Sequence, residues 1–470
     1  MSIVRVCHPT WGISPLAAAY YWKQCILPMF TYGCLVWHRV CRYKGIQRQL
    51  KSFQRLALKM MGPLRHSTPT RGLEVINYFR PIELETRRLA AEAYLRTEER
   101  LLVPAASLQT KELPLKGHRQ WCFEYLEYLR YPYLGKPSDA CIRQWMWQKS
   151  YKVDLESTKS TCPYYGQPKS DAFFTIFTDG SIQRNPNNRF ETQAGGGLYI
   201  CGGTYTQSNK LGKHVTIFQA EMHSIRRGAL WLLEHYRELE GYNVCIYTDS
   251  LASLLALKKP FTKSKLVLST MKLLNRAATK CNNLWLRWVK SHSNVVYNDK
   301  ADELAVAAAT NPNAGDIVED LPLLAPELAK RQILTATDHL WNVLFKALRY
   351  PEECRQTKQW FPTVDKARSR KILSCNRSQW GKLNQFMTGH NHLGRHSNIV
   401  DPTSNPICSL CDFGYVQDTQ HIIAECPYFL GLRSDIFNEY VIVPPFDHLP
   451  IGKVLQFLHQ SELDALVWEV

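Results

Sequence analysis

Residues 173–181 read FFTIFTDGS and residues 243–250 read NVCIYTDS. In both, a short apolar, β-branched run ends at an aspartate, Asp179 in the first and Asp249 in the second, with turn-forming residues behind it. That pattern predicts two short buried strands, each carrying its acid at the C-terminal tip. Two more acids stand in helical contexts. In FQAEMHSIRRGALWLL (218–233), Glu221 sits in the first turn beside an apolar stripe of Met222, Ile225, Ala229, Leu232 and Leu233, continued by Tyr236. Its charge there suits the positive end of the helix dipole. In WVKSHSNVVYNDKADELA (288–305), Asp302 lies on an Ala/Leu-rich segment. Two strand tips and two helices can bring four carboxylates to one point, which is the hard-oxygen surrounding that Mg²⁺ requires. Taken singly, each acid is ordinary: Asp-Gly-Ser makes a turn, and an acid at a helix start is a cap. The combination, in this order on these elements, is what points to a metal site.

The intervening sequence fits the same layered α/β plan. GGGLYIC (195–201), part of TYTQSNKLGKHVTI (204–217) and LWLRWV (284–289) read as strands, and LASLLALKK (251–259) reads as a helix that Ser250 can cap. From residue 171 to 310 the run resembles the type 1 ribonuclease H domain, in the order of its elements and at all four acids. The last segment is the most diagnostic, with His292 and Asn298 preceding ADELA at the expected interval. One departure is Tyr297, where that family often has Gly, and a differently shaped loop is expected there. The resemblance implies a ribonuclease H-like mixed sheet with flanking helices. It implies Asp179, Glu221, Asp249 and Asp302 as ligands of two Mg²⁺ ions, with Mn²⁺ able to substitute, and His292 as an aid to proton transfer or product release. The implied reaction is cleavage of the RNA strand of an RNA–DNA hybrid, with Gly180, Ser181, Gln219 and Asn298 as candidate substrate contacts. A DDE-type integrase shares the general fold and is the nearest competing chemistry; the helix-borne Glu221 and the His292…Asp302 segment favour ribonuclease H.

The flanks are of another character. Residues 1–155 read as helical and basic, a polar stretch from Glu156 to Ser170 reads as a linker, and residues 337–470 read as helical around a cysteine cluster. In ICSLCDFGYVQDTQHIIAECPYF (407–429), Cys408, Cys411, His421 and Cys426 have the spacing of a closed, structural Zn²⁺ site. This segment resembles the tail of non-LTR retrotransposon polyproteins. TWGISP (10–15), ILPMFTYGCLVW (26–37), FQRLALKMMG (53–62), STPTRGLEVI (67–76) and PIELE (81–85) resemble the thumb-like region after the palm of a non-LTR reverse transcriptase. No YxDD-like element accompanies them, so the chain reads as the C-terminal part of such a polyprotein without polymerase chemistry. A catalytically decayed remnant that only binds nucleic acid is the alternative. With the thumb-like leader parted from a palm, Ile26, Leu27, Met29, Phe30 and Trp37 are expected to stand exposed.

Lys and Arg number 58 against 41 Asp and Glu, a net charge of +17, which favours a polyanionic partner. No stretch approaches the roughly 20 apolar residues of a membrane helix, and no secretory signal opens the chain. Fifteen cysteines are then expected as reduced thiols in an intracellular protein, nuclear or cytoplasmic and not secreted.

Overall fold

The computed structural model describes residues 11–100, 117–131, 138–155, 174–185, 188–235, 237, 241–291, 295–310, 317–318, 323–348 and 354–463. The chain divides into two compact units: Tyr94–Pro114 with Tyr131–Gln332, and Met1–Ala93 with Leu115–Arg130 and Ile333–Val470.

In the first unit, a seven-stranded mixed sheet runs in the order β2-β8-β6-β3-β4-β5-β9. Its strands are β2 Lys152–Asp154, β3 Phe174–Asn185, β4 Asn188–Ile200, β5 Tyr205–Lys213, β6 Asn243–Thr248, β8 Asn283–Trp288 and β9 Ile317–Val318. β3, β4 and β5 form an antiparallel meander, while β6 joins β3 in parallel and β8 joins β6 in parallel. Helices α1 Ile217–Glu234, α2 Leu251–Lys258, α3 Lys265–Ala278 and α4 Val296–Thr310 complete it. β1 Ala140–Trp145 pairs with β7 Phe261–Ser264 as a separate ribbon. The central strands read as continuous apolar runs because both faces are covered: Ile176, Val244, Ile246, Leu284 and Leu286 are buried with Met222, Ile225, Ala229 and Leu232 of α1 and Met271 and Leu274 of α3, and the alternate residues Phe177, Cys245 and Tyr247 with Ala301 of α4.

Two expectations change here. Asp179 does not end its strand, because β3 runs on to Asn185 as one arm of the hairpin with β4. It marks instead the place where parallel pairing with β6 stops, one residue past Thr178↔Thr248. Asp249 does follow the last residue of β6, so both acids emerge at one edge of the parallel strands. Tyr297 lies in the first turn of α4, edge-on to Phe177 at 5.6 Å and stacked on Tyr199 at 5.5 Å. It fills the space that a smaller residue would leave.

The second unit is helical. Its buried core joins Trp22, Leu58, Leu73, Ile76 and Phe79 from the N-terminal segment to Trp360, Trp380, Leu383, Phe386 and Phe457 from the C-terminal segment. Polar pairs cross the same boundary. Trp380 Nε1 donates to Asn77 Oδ1 at 2.7 Å, Asn77 Nδ2 donates to Asn384 Oδ1 at 2.8 Å, and Arg377 donates to the carbonyl of Ile13 at 2.9 Å. The two flanks, expected as separate regions 1–155 and 337–470, are therefore halves of one unit, and residues 138–155 belong with the sheet. The leader's apolar residues divide as well: Ile26 and Leu27 are buried in this core and Trp37 is partly covered, while Met29 and Phe30 remain exposed.

Candidate active site

Two close backbone approaches place the acids. A Cβ at Gly180 would lie 2.4 Å from the amide nitrogen of Glu221, so only glycine lets the start of α1 cross β3 at this point. A Cβ at Gly197 would lie 2.0 Å from the carbonyl of Ala301, so the glycine run of β4 lets α4 lie directly on the sheet and carries Asp302 in. Thr216 and Gln219 close a capping box on α1. Ser224 Oγ donates to the Asp179 carbonyl at 2.7 Å, and Trp288 Nε1 donates to the Asp249 carbonyl at 2.9 Å. Each acid-bearing backbone is thus fixed by a neighbour.

Oxygens of Asp179, Glu221 and Asp249 all lie within 4.8 Å of one another. Asp302 lines the same open cavity of ≈ 170 Å³, along with Gly180, Ser291, Asn298 and Asp299. Burial, then the charges of Asp249 and Asp302, push the Asp179 carboxyl up to about 8. Burial, then Asp179 and Asp249, hold Glu221 well above the usual carboxylate range. Glu221 Oε2 and Asn298 Oδ1 are buried without a hydrogen-bond partner, a costly condition that a bound cation or donor relieves. Mg²⁺–O bonds of about 2.0–2.1 Å put adjacent ligand oxygens roughly 3 Å and opposed ones roughly 4.2 Å apart, so oxygens that all lie within 4.8 Å of one another are in the range of a shared ion. The residues fit a divalent metal.

Of the other predicted contacts, Gly180 and Asn298 line the cavity. Ser181 is nearly buried and accepts from Gln183 Nε2 at 3.2 Å. The side-chain carbonyl of Gln219 accepts from Thr216 N at 3.1 Å and its amide donates to the Leu323 carbonyl at 2.9 Å, so it caps the helix that carries Glu221. His292 lies outside the described residues. Sequence reasoning missed Asp299 and Ser291. Asp299 was findable, since it precedes Asp302 by three residues and so shares its helix face.

In the helical unit, Cys408, Cys411, His421 and Cys426 offer ligand atoms within 4.8 Å of one another, all buried. Cys411 Sγ and His421 Nε2 are 3.4 Å apart, near the edge of a tetrahedron built on Zn–S bonds of about 2.3 Å. An isolated bridge pairs Ile407 with Val416, and Cys408 N donates to the Tyr415 carbonyl at 2.8 Å, so the first two cysteines sit on a hairpin. Burial lowers His421 and pushes the Cys426 thiol up to about 12. Zinc would then displace protons on binding.

The family described as RNase H matches residues 171–310. Ribonuclease H of Wigglesworthia glossinidia brevipalpis is 30% identical over 156 residues, which take in 30% of this chain and 90% of that protein. The chain belongs to the ribonuclease H family. It is also similar to the retrovirus-related Pol polyprotein from type-1 retrotransposable element R1 of Nasonia vitripennis, at 25% identity over 154 residues. That match takes in 30% of this chain and 46% of the polyprotein, so the chain spans less than half of that relative. Among solved structures, RNase H1 from the halophilic archaeon Halobacterium salinarum NRC-1 matches at 16% identity and a TM-score of 0.23, over 29% of this chain and 96% of its own. The foamy viral protease-reverse transcriptase in complex with dsDNA matches at 19% identity and a TM-score of 0.25, over 30% and 96%. No helix among the described residues is long and apolar enough to cross a membrane.

Proposed function

We propose that the ribonuclease H unit is a Mg²⁺-dependent endoribonuclease acting on the RNA strand of RNA–DNA hybrids, with Mn²⁺ able to substitute. The observation that carries this reading is the Asp179–Glu221–Asp249 cluster in a cavity shared with Asp302 and Asn298. A pair of divalent ions held there supplies an activated water and neutralises charge at the phosphodiester. The chain's own residues do the rest. Asp179 and Asp249 hold the cluster at the edge of the parallel strands, and Glu221 and Asp302 close it from two helices. The raised carboxyl of Asp179 means that loading the site displaces a proton. Asn298 offers an amide oxygen able to accept from the RNA 2′-hydroxyl, the group that separates RNA from DNA. His292 is the candidate for moving a proton at the leaving oxygen. The Cys408, Cys411, His421 and Cys426 cluster holds structural zinc, and the basic excess of the chain supplies salt-dependent affinity for nucleic acid.

The test compares three end-labelled duplexes of one sequence with Mg²⁺ present: RNA–DNA hybrid, double-stranded RNA and double-stranded DNA. Cleavage confined to the RNA strand of the hybrid is the expected result. Hybrid left intact, or DNA cut as readily, overturns the reading.

A further inference from the structure

Residues 138–155 lie ahead of the family match at 171–310, yet they are sewn onto the ribonuclease H unit. Asp139 accepts from Ser264 Oγ at 2.7 Å and from Leu266 N at 2.8 Å. The β1–β7 ribbon sets Gln144 against Thr262 and Trp145 against Phe261. Met146 N donates to the Pro260 carbonyl at 2.8 Å, and Lys149 Nζ donates to the carbonyls of Lys259 at 2.7 Å and Leu257. Ser150 N donates to Asn275 Oδ1 at 2.9 Å. The segment is therefore held from both sides, by the end of α2 and by α3.

On this fixed base stands an exposed aromatic stack. Trp145 and Trp147 are 4.7 Å apart between ring centroids at an angle of 11°, and they are 49% and 71% exposed. Arg143 lies 4.6 Å over the Phe261 ring and 5.8 Å from that of Trp145. Two indoles left in water forgo burial worth about 25 cal/mol per Å² of apolar surface, so the exposure calls for an occupant. The charge says which. Arg143, Lys258, Lys259 and Lys263 are exposed, and none forms an ion pair among the described residues. Residues 140–152 and 258–265 contain no Asp or Glu at all. A flat π-face bordered by unpaired cations suits a base with its phosphates. Bases within a duplex present only their edges, so the occupant must be unpaired.

We infer that Trp145 and Trp147, with Arg143 and the flanking lysines, form a stacking platform for a single-stranded nucleic-acid tail that continues from the duplex held at the acid cluster. The inference rests on the nuclease reading for the duplex half of its ligand. α2 spans the interval from Asp249 to the platform. Its eight residues measure roughly 12 Å at about 1.5 Å per residue.

The experiment measures fluorescence anisotropy of the full-length chain carrying Asp249→Asn, in Mg²⁺, with a labelled blunt hybrid. It repeats the titration with the same hybrid bearing a single-stranded tail of about eight nucleotides, within the range such sites take. The tail is expected to tighten binding about tenfold or more, as one or two stacked bases would. Trp147→Ala should abolish that gain while blunt-hybrid affinity stays unchanged, and Trp147→Phe should keep most of it. Because Trp147 is the more exposed ring, its loss leaves the fold in place, which the unchanged blunt-hybrid affinity reports. The inference is overturned if the tail adds nothing, if Trp147→Ala binds the tailed hybrid undiminished, or if it weakens blunt and tailed hybrids alike. A surface that serves a protein partner gives the first of these results. Failure of the parent chain to cleave hybrid overturns the nuclease reading alone, since the tail effect is read from binding.

Discussion

Glu221 shows what the site is built to do at the scale of single residues. A buried carboxyl with an unpartnered oxygen, facing two more carboxylates, is destabilising unless a proton or a cation shares it. The consequence for stability has a definite sign. Asp179 titrates near pH 8 in the folded protein, against about 3.9 when unfolded. A raised folded value favours folding below the unfolded value and withdraws that contribution as pH rises through the folded one. The metal-free protein should therefore lose stability from about pH 4 to about pH 8. Asp249→Asn removes one of the crowding charges. Its melting temperature should exceed that of the parent in chelator at pH 8, by the equivalent of about 1–3 kcal/mol. Thermal scans across pH check this: the gap should close towards pH 4, and saturating Mg²⁺ should reverse it at pH 8. A gap independent of pH would mean that the acids do not crowd one another.

At the scale of elements, glycine decides the geometry. Gly197→Ala would drive a methyl group into the Ala301 carbonyl, lifting α4 and Asp302 off the sheet. The expected cost is about 1–3 kcal/mol, with activity falling further than stability, whereas Ala at Gly45, which has nothing within 4 Å of its Cβ position and no left-handed backbone, should leave activity unchanged. Denaturant melts and hybrid-cleavage rates on both variants separate these outcomes. Much of this level was legible in the sequence, since the end of β6, the α1 stripe and the acid order are all local patterns. The reciprocal cap of Gln219 with Thr216 was not legible, because a capping box and a polar substrate contact look alike in a string of letters. Asp179 was placed at a strand tip because a turn follows it in sequence. In the fold, the antiparallel partner β4 carries the strand through that turn signal. The positioning bonds from Ser224 and Trp288 join residues 45 and 39 apart, respectively, and no local pattern reports them.

At the scale of the whole molecule, the two flanks that read as separate share one core. Nothing in either flank signals the other, because a long-range pairing such as Asn77 with Trp380 and Asn384 leaves no periodicity to find. The consequence is measurable. Cys408, Cys411 and Cys426 belong to the same buried cluster as Leu58 and Phe79, so zinc bound by the four proposed ligands would support the N-terminal segment too. The purified chain should carry about one zinc per molecule at the four-ligand site. Cys411→Ser or a strong chelator should render residues 11–93 sensitive to limited proteolysis, while a fragment containing residues 138–310 persists. Protection of the N-terminal segment after zinc loss would show that the metal supports only its own loop.

The central claim is that the Asp179–Glu221–Asp249 cluster cleaves RNA paired with DNA. Its most direct test is the rate of Mg²⁺-dependent cleavage of a labelled RNA–DNA hybrid by the chain and by Asp249→Asn, prepared side by side, with binding to the hybrid measured for both. Cleavage by the parent, a loss of at least about a thousandfold in the variant, and retained binding in each are the expected results. Equal rates would place the chemistry elsewhere. Binding without cleavage by either would leave a nucleic-acid-binding protein whose metal site no longer works.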